Sequence, residues 1–302
     1  MTYLTFIGAP PATLDDLGDA RVVVMGASEA SPYGGETSHS ARAPTALREA
    51  SMTFARQLRQ LDFDLDATML PEEGYGGIVD IGDIPTSVRD AGANHAAIRD
   101  AVAGVLAIGA VPTVLGGDDS VPIPVLDGYR EAGPVTILQI DAHVDWGDTI
   151  RGNPNGYGSP MRRAAEMPWV DAMVQVGIRG LGSGQAWQTE DARAWGSRIV
   201  TSRAFRELGP AGVAALIEPG ARVVISIDCD GLDPAIFPAV AMPTPGGLGY
   251  DDVVALFHAI RDRAEIAGLI LAEYVPDHDD GRRLCALTAA RIASVTIGLA
   301  LR

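Results

Sequence analysis

The chain has 302 residues, of which 47% are hydrophobic and 21% are charged, and its formal net charge is −16. The length and composition are typical of a globular protein and leave room for one large α/β domain. The acidic charge disfavours nucleic acid and anionic membranes as partners, since both attract lysine and arginine, and it suits a small cationic molecule.

The start of the chain and its two cysteines favour the cytoplasm. Residues 1–16 lack the basic and apolar regions of a secretory signal. Uninterrupted apolar runs all fall short of the ~20 residues that a membrane-spanning helix needs. Cys229 and Cys285 are too few and too far apart for a disulfide framework. We therefore expect a cytoplasmic protein with two packed thiols.

Short aliphatic runs, taken in chain order, predict the strands of a sheet. They occupy 21–26, 111–117, 134–141, 172–180, 221–228 and 268–274. Most are continuously apolar, which is typical of parallel strands covered on both faces. Helical periodicity between them, as in 94–110 and 250–264, predicts alternating strands and helices. With no linker or repeat apparent, we predict a single α/β domain over residues 1–302.

Acidic residues follow two of these predicted strands. Asp141, His143 and Asp145 alternate at the end of one, and Asp228 and Asp230 repeat the spacing at the end of another. Side chains two apart in a strand share a face, and parallel sheets bind ligands at the carboxyl ends of their strands. One such motif is usually a turn or cap. Two together predict a shared binding site.

A pair of divalent cations would remove the repulsion among these carboxylates. Metals about 3.5–4 Å apart can be bridged by carboxylates and can hold an activated hydroxide between them. Oxygen-rich ligation with one imidazole favours Mn²⁺, with Ni²⁺, Co²⁺ or Fe²⁺ as alternatives. The sequence therefore predicts a binuclear metal site.

These motifs resemble those of the ureohydrolase family of arginases and agmatinases. The family's Asp-Ala-His-x-Asp motif matches residues 141–145, and its Ser-x-Asp-x-Asp-x-x-Asp-Pro motif matches 226–234. Its Gly-Gly-Asp-His-Ser element aligns with 116–120, and its glutamate-containing loop aligns with 273–279. The resemblance runs in the same order from about residue 5 to the C terminus.

The resemblance implies a three-layer α/β/α fold with a mostly parallel sheet of about eight strands, assembled as a homotrimer or homohexamer. It also implies that a hydroxide bridging two metal ions attacks the guanidinium carbon of an agmatine-like compound, releasing urea and an amine. Asp141 and Asp228 would bridge the two metals. His143 and Asp230 would complete one metal site, and Asp145 would join the other and relay a proton.

Three places depart from the family's pattern. Asp119 replaces a metal-binding histidine. It is expected to remain a ligand through oxygen; the alternative is that it makes a hydrogen bond and that metal is missing or weakly held. Tyr157 stands where agmatinases have a proton-shuttling histidine; it can donate a proton but not shuttle one freely. His278 is an alternative catalytic group. Residues 239–242 replace a Gly-Thr-Gly-Thr run and are expected to reshape the pocket wall.

Three further residues are candidates for substrate binding. Glu273 ends an apolar strand and is predicted to pair with a guanidinium through two parallel hydrogen bonds. Its alternative is a surface ion pair with Arg282 or Arg283. Tyr33 and His39, in the loop-like N-terminal region, are predicted to line the pocket entrance.

Two other functions stay open at this point. A non-catalytic subunit that binds metal poorly and supports a catalytic partner would explain Asp119, Tyr157 and the change at 239–242. An amidine or amide hydrolase of the same fold fits the paired motifs and Glu273 less well. Five of the six expected ligand positions are intact, which favours an enzyme that acts on C–N bonds of guanidino compounds.

Overall fold

The computed structural model describes residues 3–33 and 35–302. Met1, Thr2 and Gly34 fall within the predicted 1–302 domain but lie outside the described residues. The strands are β1 (Val22–Ala27), β2 (Leu61–Asp62), β3 (Ala67–Thr68), β4 (Ile78–Asp83), β5 (Val111–Gly116), β6 (Val135–Ile140), β7 (Val170–Ile178), β8 (Arg198–Thr201), β9 (Arg222–Asp228) and β10 (Glu265–Ala272). The helices are α1 (Ala43–Ser51), α2 (Ala91–Ala107), α3 (Pro122–Asp127), α4 (Pro160–Ala165), α5 (Ala186–Trp195), α6 (Ser202–Ala214), α7 (Tyr250–Arg261) and α8 (Leu284–Ala300).

Eight of these strands form one sheet in the order β4-β1-β5-β10-β9-β6-β7-β8. All neighbouring pairs in it are parallel. Strands β2 and β3 form a separate antiparallel hairpin. A parallel pair needs a crossover connection, which the intervening helices supply. The predicted sheet of about eight mostly parallel strands is confirmed.

The sheet separates two apolar layers. In β1, Val22 and Val24 pack into one layer, while Val23 and Met25 pack into the other. This alternation makes a strand apolar on both faces, which is why its sequence reads as a continuous aliphatic run. Residues of α1, α6, α7 and α8 belong to the first layer, and residues of α2, α3, α4 and α5 belong to the second. The fold is therefore the expected three-layer α/β/α arrangement.

Element boundaries differ from the sequence predictions where capping and buried charge intervene. Helix α2 begins at Ala91 because the side chain of Asp90 accepts a hydrogen bond from the Ala93 amide at 2.9 Å. Strand β4 has no continuous aliphatic run, because a fully buried acid, Asp80, lies in its middle. Among the described residues, no helix combines the length and apolar character needed to cross a membrane.

Candidate metal centre and active site

Four neighbouring strands bring acidic side chains to one edge of the sheet. Strands β5, β10, β9 and β6 lie side by side. Asp119, Glu273, Asp228 and Asp141 lie at or just beyond their carboxyl ends. Because parallel strands end at a common edge, the four carboxylates converge there. Each residue is buried, with exposed fractions from 0% for Asp141 to 7% for Glu273.

Two overlapping groups of side chains could each hold a metal ion. One consists of Asp119, Asp141 and Asp228, and the other consists of Asp141, His143 and Asp230. Within each group, one donor atom from every residue lies within 4.8 Å of the others. Asp141 belongs to both groups, so its carboxylate is the donor that they share. Asp145 is in neither group.

His143 and Asp145 reach the centre through a loop. Strand β6 ends at Ile140, so alternation of side chains along a strand does not account for their position. The backbone amide of His143 donates to Asp141 Oδ1 at 2.6 Å. Asp145 has a left-handed backbone with φ of 45°. A non-glycine residue in this conformation costs about 1–3 kcal/mol and often marks a functional site.

The His143 imidazole lies between two carboxylates. Its Nδ1 is 3.1 Å from Asp230 Oδ2 and 3.3 Å from Asp141 Oδ1. Burial disfavours the imidazolium, but the carboxylates of Asp230 and Asp145 outweigh it and raise the pKa of His143. Asp230 is itself fixed, since its Oδ1 accepts from the Ala142 amide at 3.2 Å. The two sequence motifs are therefore joined directly.

The acidic centre lacks enough protein counter-charge for its carboxylates. Burial, together with repulsion from neighbouring carboxylates, raises the pKa values of Asp119, Asp141 and Asp228 above their usual range. Among the described residues, Asp119 Oδ2 is buried with no hydrogen-bond partner. Buried oxygens with one nearby imidazole are the donor set that Mn²⁺ and similar ions prefer. The residues present therefore fit two divalent cations.

Two residues that support the centre were missed by the sequence analysis. Gln139, on β6, donates through Nε2 to Asp141 Oδ2 at 2.7 Å and to Asp145 Oδ2 at 2.8 Å. Arg179 donates to backbone carbonyls of the loop that carries the second motif, including Asp230 O at 2.7 Å. Burial lowers the pKa of Arg179. Gln139 is two residues before Asp141 in an otherwise apolar run, which was the available signal.

Glu273 faces the same centre and has its own partners. Its Oε1 accepts from the Asp119 amide at 2.9 Å, and its Oε2 lies 2.6 Å from His39 Nε2. Glu273 is buried and its ion-pair contact is His39 rather than Arg282 or Arg283; Arg283 pairs with Glu49. The hydrogen bond to Glu273 raises the pKa of His39. Glu273 also has a left-handed φ of 63°.

A second acid beside Asp119 is a further residue that the sequence did not single out. Asp118 is 3% exposed and its Oδ1 accepts from the Ser120 hydroxyl at 2.5 Å. Burial and the nearby Glu273 carboxylate raise its pKa to about 6. Ser120 in turn accepts from the Ser31 amide at 3.0 Å, which ties the strand-end loop to the N-terminal loop. Asp118 lines the cavity above the centre.

A cavity of about 620 Å³ opens onto these residues. His143, Asp145, Asp228, Asp230 and Glu273 line its floor. Its walls and mouth include Tyr33, Glu36, His39, Trp146, Ile150, Arg151, Tyr157, Ala241 and Met242. The volume and the few convergent polar groups are typical of a site for a small molecule.

The remaining sequence candidates lie at different distances from this cavity. Tyr33 and Tyr157 form part of its wall, with ring centroids 4.9 Å apart, and the Tyr157 amide donates to the Tyr33 hydroxyl at 3.1 Å. Met242 is 56% exposed and also lines the cavity. His278 is exposed and its Nδ1 lies 2.9 Å from Val240 O. His278 is not among the lining residues.

Comparisons with known proteins agree with this geometry. The sequence model of the Arginase family matches residues 20–298. Proclavaminate amidinohydrolase of Streptomyces clavuligerus is 33% identical over 271 residues, which cover 86% of this chain and 82% of that protein. N(1)-aminopropylagmatine ureohydrolase of Thermus thermophilus is 33% identical over 284 residues, covering 93% and 90%.

Solved structures share the fold. That of the Streptomyces clavuligerus amidinohydrolase aligns with a TM-score of 0.82 and 28% identity, covering 100% of this chain and 98% of that chain. A hypothetical agmatinase from Burkholderia thailandensis also aligns with a TM-score of 0.82, at 23% identity, covering 99% and 90%. At 23% identity this second likeness concerns the fold alone. The family match over most of the chain and the two relatives above 30% identity show that this chain belongs to the arginase family.

Proposed function

We propose that this chain is a metal-dependent hydrolase that cleaves a guanidino compound, agmatine or a related molecule, into urea and an amine. The observation that carries the proposal is the pair of overlapping ligand groups, which share Asp141 and lie beside Glu273. Names of relatives point the same way, since they include an amidinohydrolase and a ureohydrolase. A guanidinium suits the acidic end of the cavity.

The protein would hold its cations through six side chains. They are Asp119, Asp141, His143, Asp145, Asp228 and Asp230. Two Mn²⁺ ions, or Ni²⁺ or Co²⁺, would neutralise these acids, polarise the substrate and make water nucleophilic near neutral pH. Gln139 holds Asp145 through Oδ2, and the carboxylate lines the cavity, where it would take a proton from water.

Glu273 would bind and orient the guanidinium. The Asp119 amide and His39 hold its two oxygens, so the carboxylate is fixed before substrate arrives. Water adds to the guanidinium carbon, and the bond from that carbon to the alkylated nitrogen then breaks. The leaving nitrogen takes up a proton, for which the Tyr157 hydroxyl at the cavity wall is the proposed donor. The catalytic role predicted for His278 stays a prediction.

Urea release from a set of guanidino compounds, measured on protein loaded with Mn²⁺, tests the proposal. We expect turnover of at least one compound and about two transition-metal ions per chain. Glu273→Gln keeps an oxygen for the Asp119 amide but removes the charge, and turnover should fall ~100-fold or more, because charge-assisted pairing with the substrate is lost. Glu49→Gln, on the surface of α1, is the matched control and should leave turnover unchanged.

Two outcomes would contradict the proposal. A protein that retains no metal after loading would instead be a non-catalytic subunit. A protein that binds two ions but releases only carboxylate from amides would be an amide hydrolase of the same fold. Glu273→Gln with wild-type turnover would remove the assignment of Glu273 alone.

We also propose a cytoplasmic homo-oligomer, a trimer or a hexamer. The buried and unbridged thiols of Cys229 and Cys285 support a reducing compartment. The oligomer rests on the family resemblance, and light scattering on the purified protein would measure it.

A further inference from the structure

The lining of this acidic cavity includes one positively charged side chain. Among the lining residues that the structure describes, Arg151 is the one with a permanent positive charge. The other charged side chains there are carboxylates and two histidines. Among the described residues, no carboxylate oxygen lies within 4.0 Å of a guanidinium nitrogen of Arg151, the limit for an ion pair. Arg151 is therefore a cation that faces the cavity without a protein counter-ion.

The backbone holds Arg151 in a tight turn. Ile150 and Asn153 exchange two hydrogen bonds of 2.9 Å, so Arg151 and Gly152 form the two central residues between them. Both have positive φ, 50° for Arg151 and 80° for Gly152. Such turns prefer Asn-Gly or Gly-Gly, and arginine in the first position is strained. Ile150 also lines the cavity, which anchors the turn at the wall.

An aromatic ring stands beside the guanidinium. The Cζ of Arg151 lies 5.9 Å from the centroid of the Tyr33 ring, within the range of a cation–π contact. The Tyr33 hydroxyl accepts from the Tyr157 amide, so the ring is tied to the same loop that carries Arg151. These two connected contacts hold the exposed guanidinium beside Tyr33 at the wall of the cavity.

The cavity therefore has negative charge among its buried lining residues and a positive charge at an exposed one. Glu273 and the neighbouring acids suit a guanidinium at the floor, whereas Arg151 suits an anion at the mouth. Resting on the guanidino hydrolysis proposed above, we infer that Arg151 binds a carboxylate and that the substrates are ω-guanidino carboxylic acids. An agmatine-type substrate would instead bring a second positive charge toward Arg151.

Glu36 is the competing group at the mouth. It is exposed and lines the same cavity, and its carboxylate would attract an amine-terminated substrate. The contacts that hold Glu36 in place differ from those that hold Arg151. The described contact of Glu36 is a backbone one, from its amide to Tyr33 O at 3.2 Å, while Arg151 is held at its side chain by an aromatic ring. We therefore assign recognition of the distal substrate group to Arg151.

The test compares four substrates on the Mn²⁺-loaded protein: 3-guanidinopropanoate, 4-guanidinobutanoate, agmatine and butylguanidine. The two acids differ by one methylene, so they test two distances between the guanidinium and the carboxylate that Arg151 would bind. We expect the better acid to exceed butylguanidine and agmatine in kcat/KM by about tenfold or more. Arg151→Gln should lower kcat/KM for that acid about 10- to 100-fold, mainly through KM, since a charge-assisted contact is lost.

The neutral-tailed substrate separates this inference from the proposed function. Arg151→Gln should lower kcat/KM for butylguanidine much less than for the better acid, because butylguanidine has no group for Arg151 to bind. Arg203→Gln, an exposed change on α6, is the matched control and should leave all four rates unchanged. Glu36→Gln should raise the ratio of acid to agmatine turnover.

Three results would overturn the inference. The first is agmatine as the best of the four substrates. The second is an equal loss for the acid and for butylguanidine in Arg151→Gln, which would mean general damage to the site. The third is no urea from any of the four, in which case the proposed function fails and the inference fails with it.

Discussion

Buried carboxylates at two places in this fold meet the same electrostatic problem in different ways. On β4, Asp80 is fully buried, and Arg48 from α1 meets it with two hydrogen bonds of 2.8 and 3.0 Å. Amides of Phe6 and Gly82 supply two more donors to the same carboxylate. Asp80 therefore has its counter-charge and its hydrogen bonds within the protein.

The strand-end centre is different. Asp119, Asp141 and Asp228 are equally buried, and their pKa values are raised by burial and by each other. Arg179, which contacts the loop of the second motif, directs its guanidinium to backbone carbonyls. An isolated buried charge is costly unless it is paired or bound to a metal. Asp80 is thus satisfied by groups of the protein, whereas the strand-end acids keep donor atoms that could hold cations.

Removing the shared ligand should have the largest effect. Asp141→Asn takes away the charge common to both ligand groups, so we expect loss of bound metal and a fall in turnover of ~1000-fold or more, since metal catalysis supplies several kcal/mol. Elemental analysis and urea release measure both effects. Asp171→Asn, at an exposed position on β7, is the control. Full metal content in Asp141→Asn would break the contrast between the two clusters.

The reverse change should damage stability and leave the metals alone. Arg48→Met leaves Asp80 buried without its partner, and breaking such a pair costs roughly 3–5 kcal/mol of unfolding free energy. Chemical denaturation of Arg48→Met beside the exposed control Arg56→Met measures the loss. Metal content of the folded fraction should equal that of wild type. A change in metal content without a loss of stability would show that the clusters are not separate.

Much of this contrast was readable from the sequence. Strand-end acids with regular spacing indicated the centre, because ligand residues must follow strands that converge on one edge. Asp80 gave no such signal, since its partner Arg48 lies 32 positions earlier and only folding brings them together. Asp118 and Arg151 were likewise missed, because their importance depends on which loops meet over the cavity.

The position of His143 shows a second limit of prediction from the sequence. Alternation of residues along a strand predicted convergence of Asp141, His143 and Asp145 from geometry that the loop does not have. The loop nevertheless places His143 in a group with Asp141, and Gln139 joins Asp145 to Asp141, so the prediction that the three residues act together stays a prediction. The spacing of residue types along the sequence does not reveal that the backbone of Asp145 is left-handed.

Asp119 tests how far oxygen can replace an imidazole at the centre. Asp119→Asn removes a charge but keeps one oxygen, and we expect metal affinity to fall about 10- to 100-fold. Asp119→His supplies a neutral nitrogen ligand and should retain both ions. Titration of metal-free protein with Mn²⁺ measures both variants. Equal affinity of Asp119→Asn and wild type would mean that the unpartnered Oδ2 does not bind metal.

Glu273 lies between the two extremes, because its counter-charge is the titratable His39. The pKa of His39 is raised above its ordinary 6.5 in the folded protein by the hydrogen bond to Glu273 and by the charges of Glu273 and Asp118. A raised folded-state pKa stabilises the fold below the unfolded value, and the gain is lost as pH rises through the folded value. His39→Gln should therefore lower the Tm at pH 6 and have no effect at pH 9.

The size of this effect is the smallest of the four, since His39 is partly exposed and solvent screens the pair. Thermal unfolding across that pH range measures it. In a Glu273→Gln background the pH-dependent difference should disappear, whereas a contribution from Asp118 alone would persist. A difference in Tm that is constant from pH 6 to 9 would mean that His39 acts by packing. Glu273 would then join the strand-end acids as a carboxylate without protein counter-charge.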